Sequence, residues 1–200
     1  MIRRAAIDDL GRVAEVLGLA FRDYPWTRWC VDNTDHIHRI TELQRISLEL
    51  LGFPHGLVWV SELDDVCVSA AVWSDSRVPL DRVIFRTLAD RSRPLHGDRL
   101  SSAVAAETGG FPRPVEPHLF LETMGTHPDH RRHGHGARVL RPGLALADEQ
   151  GLVSGLETST DGNVSFYESV GFEIIDHRWV PGGGPDVWTM WRTPIAELSG

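Results

Sequence analysis

Thr123-Met124-Gly125-Thr126-His127-Pro128-Asp129-His130-Arg131-Arg132-His133-Gly134-His135-Gly136-Ala137 is the stretch whose reading decides the fold of this 200-residue chain. An apolar strand pattern ends near Met124, a polar loop follows, and a helical pattern opens at two glycines spaced i, i+2. Glycine lets a backbone approach a ligand closely and adopt turn dihedrals that other residues resist. The free N–H groups of a helix N-terminus, with the positive end of its dipole, suit a phosphate or pyrophosphate. Arg131 and Arg132 add charge-assisted donors. A Walker loop needs Lys and Ser/Thr where His135 and Gly136 follow Gly134, and a dinucleotide fingerprint needs glycine or alanine where Val139 stands. Neither pattern is met.

Downstream of the loop, a helix is expected from about Gly136 to Glu149, a strand over Leu152 to Thr158 and a short helix over Val164 to Ser169. Strands over Gly171 to His177 and Val187 to Arg192 close the chain. Upstream, Ile2 to Ile7 reads as a strand and His118 to Met124 as another. Asp8 or Asp9 is expected to cap a helix reaching Phe21, with Leu10, Val13, Val16, Leu17 and Ala20 on one face. Pro25 marks a break. A second amphipathic helix runs from about Asp35 to Leu51, and Leu57 to Leu63 with Val66 to Trp73 forms a hairpin around Asp64-Asp65. Between Ser74 and Pro117 the pattern weakens: Leu80 to Ala89 and Leu100 to Glu107 read as helices divided by Arg93-Pro94, and Gly109 to Pro117 as a linker. The order predicts a single α/β domain over residues 1–200, one central sheet with helices on both faces.

Composition bounds the function. At 42% hydrophobic and 24% charged residues, the chain has an ordinary globular balance. Twenty basic residues, all arginine, face 28 acidic ones for a net charge of −8, which argues against a nucleic-acid partner. Cys30 and Cys67 have apolar or aromatic neighbours and offer neither a disulfide framework nor a CxxC pair, so both are expected as buried thiols. The N-terminus lacks the apolar core of a signal peptide and no run reaches membrane-spanning length. A cytoplasmic protein, monomeric or homodimeric, is the expectation. His127, His130, His133 and His135 lie between arginines with Asp129 as the one carboxylate, so no metal is expected. No G-x-S-x-G elbow occurs for a serine hydrolase.

Arg131-x-x-Gly134-x-Gly136, after a strand and opening a helix, is followed by Glu157-Thr158 and then Asn163-Val164-Ser165-Phe166-Tyr167-Glu168-Ser169-Val170-Gly171-Phe172. This combination resembles the GCN5-related N-acetyltransferase superfamily, and the likeness to one antibiotic-acetylating branch covers nearly the whole chain, least from Ser74 to Pro114. The resemblance implies a mostly antiparallel GNAT-like sheet, acetyl-CoA as co-substrate and a small-molecule amine as acceptor. By that resemblance Arg131, Arg132, His133, Gly134, His135, Gly136 and Ala137 hold the pyrophosphate. Met124 and Thr126 bond the pantetheine arm through their backbones, Asn163 bonds near the thiol, and Tyr167 is the acid that protonates the departing thiolate.

Other assignments are expectations of the same kind. Many members carry a base on the strand before the loop, and Glu122 stands there; alternation puts Glu122 and Met124 on one face, and Glu157 is the rival base. Gly125 is expected to mark a bulge that splays the strands. The first two helices of this family cover the acceptor, so the rings of Tyr24, Trp26 and Trp29 are expected to stack on it and Asp23 to pair with its amine. Two other acceptor-side readings stay open: a protein or peptide acceptor, and a non-catalytic module that only binds acetyl-CoA.

Overall fold

In the computed structural model the described residues are 1–107 and 110–195. The first residue of the expected linker, Gly109, lies outside them. Seven strands form one sheet in the order β1-β2-β3-β4-β5-β7-β6. They are β1 Ile2–Arg4, β2 Gly56–Leu63, β3 Val66–Asp75, β4 His118–Thr126, β5 Val153–Thr158, β6 Glu173–Trp179 and β7 Asp186–Arg192. Every neighbouring pair is antiparallel except β4 and β5.

Alternation along β3 sorts the core into two layers. Ala70 and Val72 face α1 (Leu10–Ala20), whose Val13, Ala14, Val16 and Leu17 are buried against them. Ala71 and Trp73 face the opposite way, toward α7 (His135–Glu149), which contributes Val139, Leu140, Leu144 and Ala147. A Cβ at Gly143 would run into the Trp73 indole, so glycine is what lets α7 lie this close to the sheet. Helices therefore cover both faces, as the pattern predicts.

Several local expectations change. Asp9 does not cap α1 with its side chain; its carboxylate takes the Ala6 N–H and the Arg3 guanidinium. Pro25 stops α1 and also begins α2 (Pro25–Cys30), because proline at the first helical position forfeits only an N–H that has no partner there. Helix α3 (His36–Ser47) passes into a π-helical turn, Leu48–Gly52, and a last turn α4 (Phe53–His55). Pro94 does not divide α5 (Arg82–His96); it sits in the last turn, where Arg39 of α3 donates to the Pro94 and Leu95 carbonyls. Helix α6 (Leu100–Glu107) follows, so the connection between adjacent strands β3 and β4 is a helical insertion lying against α2 and α3.

The feature that makes a site is a fork. β4 and β5 pair only from His118↔Val153 to Leu121↔Leu156, after which both continue unpaired with each other. Against β3, Val72 pairs with Thr123 and Trp73 with Leu121, so Glu122 is the extra residue of a β-bulge. A bulge bends its strand and disturbs alternation. The expected bulge at Gly125 is thus at Glu122, and Gly125 instead admits α1, since a Cβ there would stand 2.6 Å from the Ala20 Cβ. The bulge also overturns the shared face of Glu122 and Met124. Met124 pairs with Ala71 on the α7 side, whereas the Glu122 carboxylate bonds Ser74, which alternates with Trp73 onto the other face.

Candidate active site

The prong of β4 beyond the fork leads into the loop and α7; the prong of β5 leads into α8 (Asp161–Glu168). A cleft of about 620 Å³ lies between them. One wall is Met124, Gly125 and Thr126, and the other is Thr160, Asn163 and Phe166 of α8. Arg131, Arg132, Gly134, His135, Gly136 and Ala137 form the end.

The loop backbone explains what that end could hold. Arg132 and Gly134 have φ of 64° and 76°, a pair of left-handed residues that turns successive amides the same way. Carbonyls of the loop are engaged: that of Arg131 lies 2.8 Å from His133 Nδ1, and that of His133 accepts from Arg138 at 2.8 Å. Among the described residues, the backbone N–H groups of Arg132 through Ala137 have no protein acceptor. Amides arranged this way at a helix N-terminus could hold an anion.

Side chains around it divide into two kinds. His135 is buried, with Nδ1 2.9 Å from Ser61 Oγ on β2, and burial, followed by Arg138, His130 and His133, holds its pKa below the usual histidine value. It ties the helix start to the sheet as a neutral ring. Arg131 donates to the Ala20 carbonyl at the end of α1, closing the α1 side of the cleft. His133 is exposed and does not line the cleft.

A second chamber of about 350 Å³ sits at the crotch of the fork, and Phe21, Tyr24, Met124 and Asn163 line both spaces. Glu122 and Glu157 are each the first residue past the last pair, Leu121↔Leu156, so both carboxylates reach this chamber. Their environments differ. Glu122 is exposed, accepts from Ser74 Oγ at 2.6 Å and is bridged by Arg113 at 3.1 and 3.3 Å. Glu157 is half-buried without such bonds, and its pKa is raised, chiefly by burial and also by the charge of Glu122, with Arg113 opposing.

Tyr167 of α8 also lines the chamber. Its ring is wedged between Phe166 and Phe172, edge-on to each, and burial raises its hydroxyl pKa above the ordinary phenol value. The hydroxyl makes no hydrogen bond to the described residues. Nearby, Tyr24 reaches across from the turn between α1 and α2: its oxygen accepts from the Ser159 N–H and lies 3.2 Å from Thr158 Oγ1, which accepts from Asn163 at 3.0 Å. The chain's two tyrosines thus both line the chamber.

The expected aromatic wall is partly present. Tyr24 and Trp26 line the chamber, while Trp29 is core, packed with Cys30, Val31 and Ile40. Asp23 borders the cleft instead of the chamber, and Arg22 and Arg28 pair with it. Thr158, Arg113, Gln44 and Ser47 were not anticipated. Thr158 stands beside Glu157 in a run that was legible; Arg113 lies in the segment with least pattern and carries no signal of its own. Cys30 and Cys67 are free and buried, with thiol pKa values pushed up by burial to about 12 and about 11. Among the described residues no three His, Cys, Asp or Glu side chains gather around a metal-sized space, and no helix is long and apolar enough to cross a membrane.

Comparison with known proteins agrees with this architecture. The profile of the family described as "Acetyltransferase (GNAT) family" matches residues 20–172. Among solved structures, one titled histone acetyltransferase HPA2 and related acetyltransferase from Corynebacterium glutamicum superposes with a TM-score of 0.74 at 20% identity, covering 99% of this chain and 98% of that one. The ribosomal-protein-S18-alanine N-acetyltransferase of Escherichia coli gives 0.60 at 16% identity, over 100% and 97%. A polyamine N acetyltransferase of Drosophila melanogaster gives 0.60 at 15% identity, over 96% and 99%. At these identities the likeness establishes the shared fold.

Proposed function

The chain belongs to the GNAT family of acetyltransferases, whose members are acetyl-CoA-dependent N-acetyltransferases, and on that premise we propose that it acetylates the primary amine of a small molecule by direct attack within a ternary complex. The observation that carries this reading is the junction: a nest of unpaired amides ends one cavity, two carboxylates and a phenol line the next, and the two open into each other at Tyr24 and Asn163. The cleft fits the co-substrate. A diphosphate satisfies the amides of Arg132 to Ala137, Gly136 leaves the approach to Met124 and Thr126 unobstructed, and the volume is that of a small-molecule site.

Acetyl-CoA supplies the thioester carbonyl carbon to which the amine nitrogen bonds as the carbon–sulfur bond breaks. An amine protonated at neutral pH must first lose a proton, and Glu157 is the group we assign to take it. Burial moves its pKa toward the working pH, where a base is most effective, whereas the Glu122 oxygens already accept from Ser74 and Arg113. Tyr167, kept protonated by burial and free of competing bonds, donates its proton to the sulfur that leaves with the electron pair. The proton accepted by Glu157 and the one lost by Tyr167 balance, and exchange with solvent resets both. Asn163 and the Met124 and Thr126 backbones orient the arm between cleft and chamber.

Among small amines we favour an aminonucleoside such as puromycin, which would make the protein an antibiotic-resistance enzyme. Ala20 to Arg28, His36 to Gln44, Leu140-Arg141-Pro142-Gly143, Leu156 to Ser159 and Trp188-Thr189-Met190 resemble segments of puromycin N-acetyltransferase. A peptide acceptor calls for an open, acidic groove in place of an aromatic pocket, whereas Phe21, Tyr24 and Trp26 line the chamber, Trp26 lying 6.1 Å from Phe111 between ring centres. The test is an amine panel, puromycin included, with acetyl-CoA and a thiol reagent. Release of CoA with an amine is the expected result; binding of acetyl-CoA with no release for any amine leaves a non-catalytic module.

A further inference from the structure

We propose that the cavity beneath the β3–β4 insertion is a tail pocket for the acceptor, taking the apolar portion of a primary amine whose nitrogen lies between Glu122 and Glu157. The proposal rests on the acetyltransferase reading and names its substrate class. This cavity measures about 770 Å³, larger than the acceptor chamber of about 350 Å³. Ser47 and Glu122 line both, so the two spaces adjoin across the bulge of β4. Beyond that boundary one part of the lining is apolar, formed by Leu51, Val72, Val78, Leu80, Phe85 and Leu88, while His55, Ser74, Asp75, Ser76, Arg113 and His118 line the rest.

Three observations single out an amine with a hydrophobic tail. The boundary is acidic, with Glu122 and Glu157 facing the one guanidinium of Arg113, so a cationic head is held there. Phe85 and Val78 remain 48% and 37% exposed on a wall that no described residue covers, which leaves apolar area for a ligand to bury. On the α3 side the wall includes Leu51 and Gly52 of the π-helical turn Leu48–Gly52, a rare conformation found frequently at functional sites.

Calorimetric titration of the CoA-saturated full chain with ethylamine, butylamine and hexylamine tests this. Affinity is expected to rise about fourfold for each added methylene that finds the pocket. Leu88→Trp and, as an independent filler, Leu80→Trp are expected to flatten the series, with folding of each checked by its melting transition. A flat series in the wild type, or an unchanged slope in both folded variants, overturns the proposal. Turnover of the same amines with acetyl-CoA is followed in parallel. A steep, filler-sensitive series without CoA release keeps the pocket and sinks the enzyme, whereas CoA release with a flat series does the reverse.

Discussion

Tyr167 and Glu157 are two residues whose chemistry is set by what surrounds them, and each gives a sharp expectation. Tyr167→Phe keeps the ring between Phe166 and Phe172 and removes only the proton donor. Steady-state kinetics should give a kcat lower by about 10-fold or more with KM for acetyl-CoA nearly unchanged. Glu157 must be ionised to accept a proton, and its pKa lies above the ordinary glutamate value. The acid limb of kcat/KM is therefore expected above the usual carboxylate range, rising with pH; Glu157→Gln should abolish that limb and lower the rate by about 10²- to 10⁴-fold. At this scale the sequence was readable where a motif fixes position, as at Tyr167 and Asn163. It was not readable where a side chain's direction depends on a bulge or on a distant partner. Glu122 was legible as a candidate base in an apolar strand, but its partners were not: they follow from the bulge, which sets its carboxylate against Ser74 and Arg113.

The loop and α7 act as one element. Gly134 has φ of 76° with no atom near the place of a Cβ, so the constraint there is conformational and not steric. Gly134→Ala strains that turn by about 1–2 kcal/mol. The free loop relaxes out of the nest, and binding must restore it, so calorimetry should find CoA affinity lower by about tenfold. Gly151, at the other end of α7 with φ of 65° and equal space, supplies the control: Gly151→Ala carries a similar strain and should leave affinity alone. Helical and strand periodicity in the sequence accounts for most elements. What it missed has definite causes. Pro25 was legible as a stop but serves also as a start, and Pro94 lies in the last turn of α5, where Arg39, far away in sequence, caps the terminal carbonyls of Pro94 and Leu95.

On the scale of the whole molecule, the helix layer is tied to the sheet by one nearly buried ion pair. Arg192 of β7, its side chain 5% exposed, holds Asp148 of α7 through two bonds of 2.7 and 2.8 Å. Asp148→Asn leaves that guanidinium buried and uncompensated, which should cost about 3–5 kcal/mol in urea unfolding. The same pair sets an acid limit. The Arg192 bond depresses the Asp148 pKa below 3.8, so its contribution is full above that value and is lost as pH falls through the depressed one. The sheet-and-helix architecture was legible in the order of elements; the fork was not, because it depends on where β4 and β5 stop pairing, a fact of register that no residue pattern encodes. That incomplete pairing has a mechanical consequence. Four strands sit on one prong and three on the other, and past Leu121↔Leu156 no ladder bonds join β4 to β5, while Tyr24 bonds to Thr158 and Ser159 at the end of β5. A molecule lying against Met124 to Thr126 and Asn163 at once is a brace across the gap, so filling the cleft and stiffening the protein are a single event.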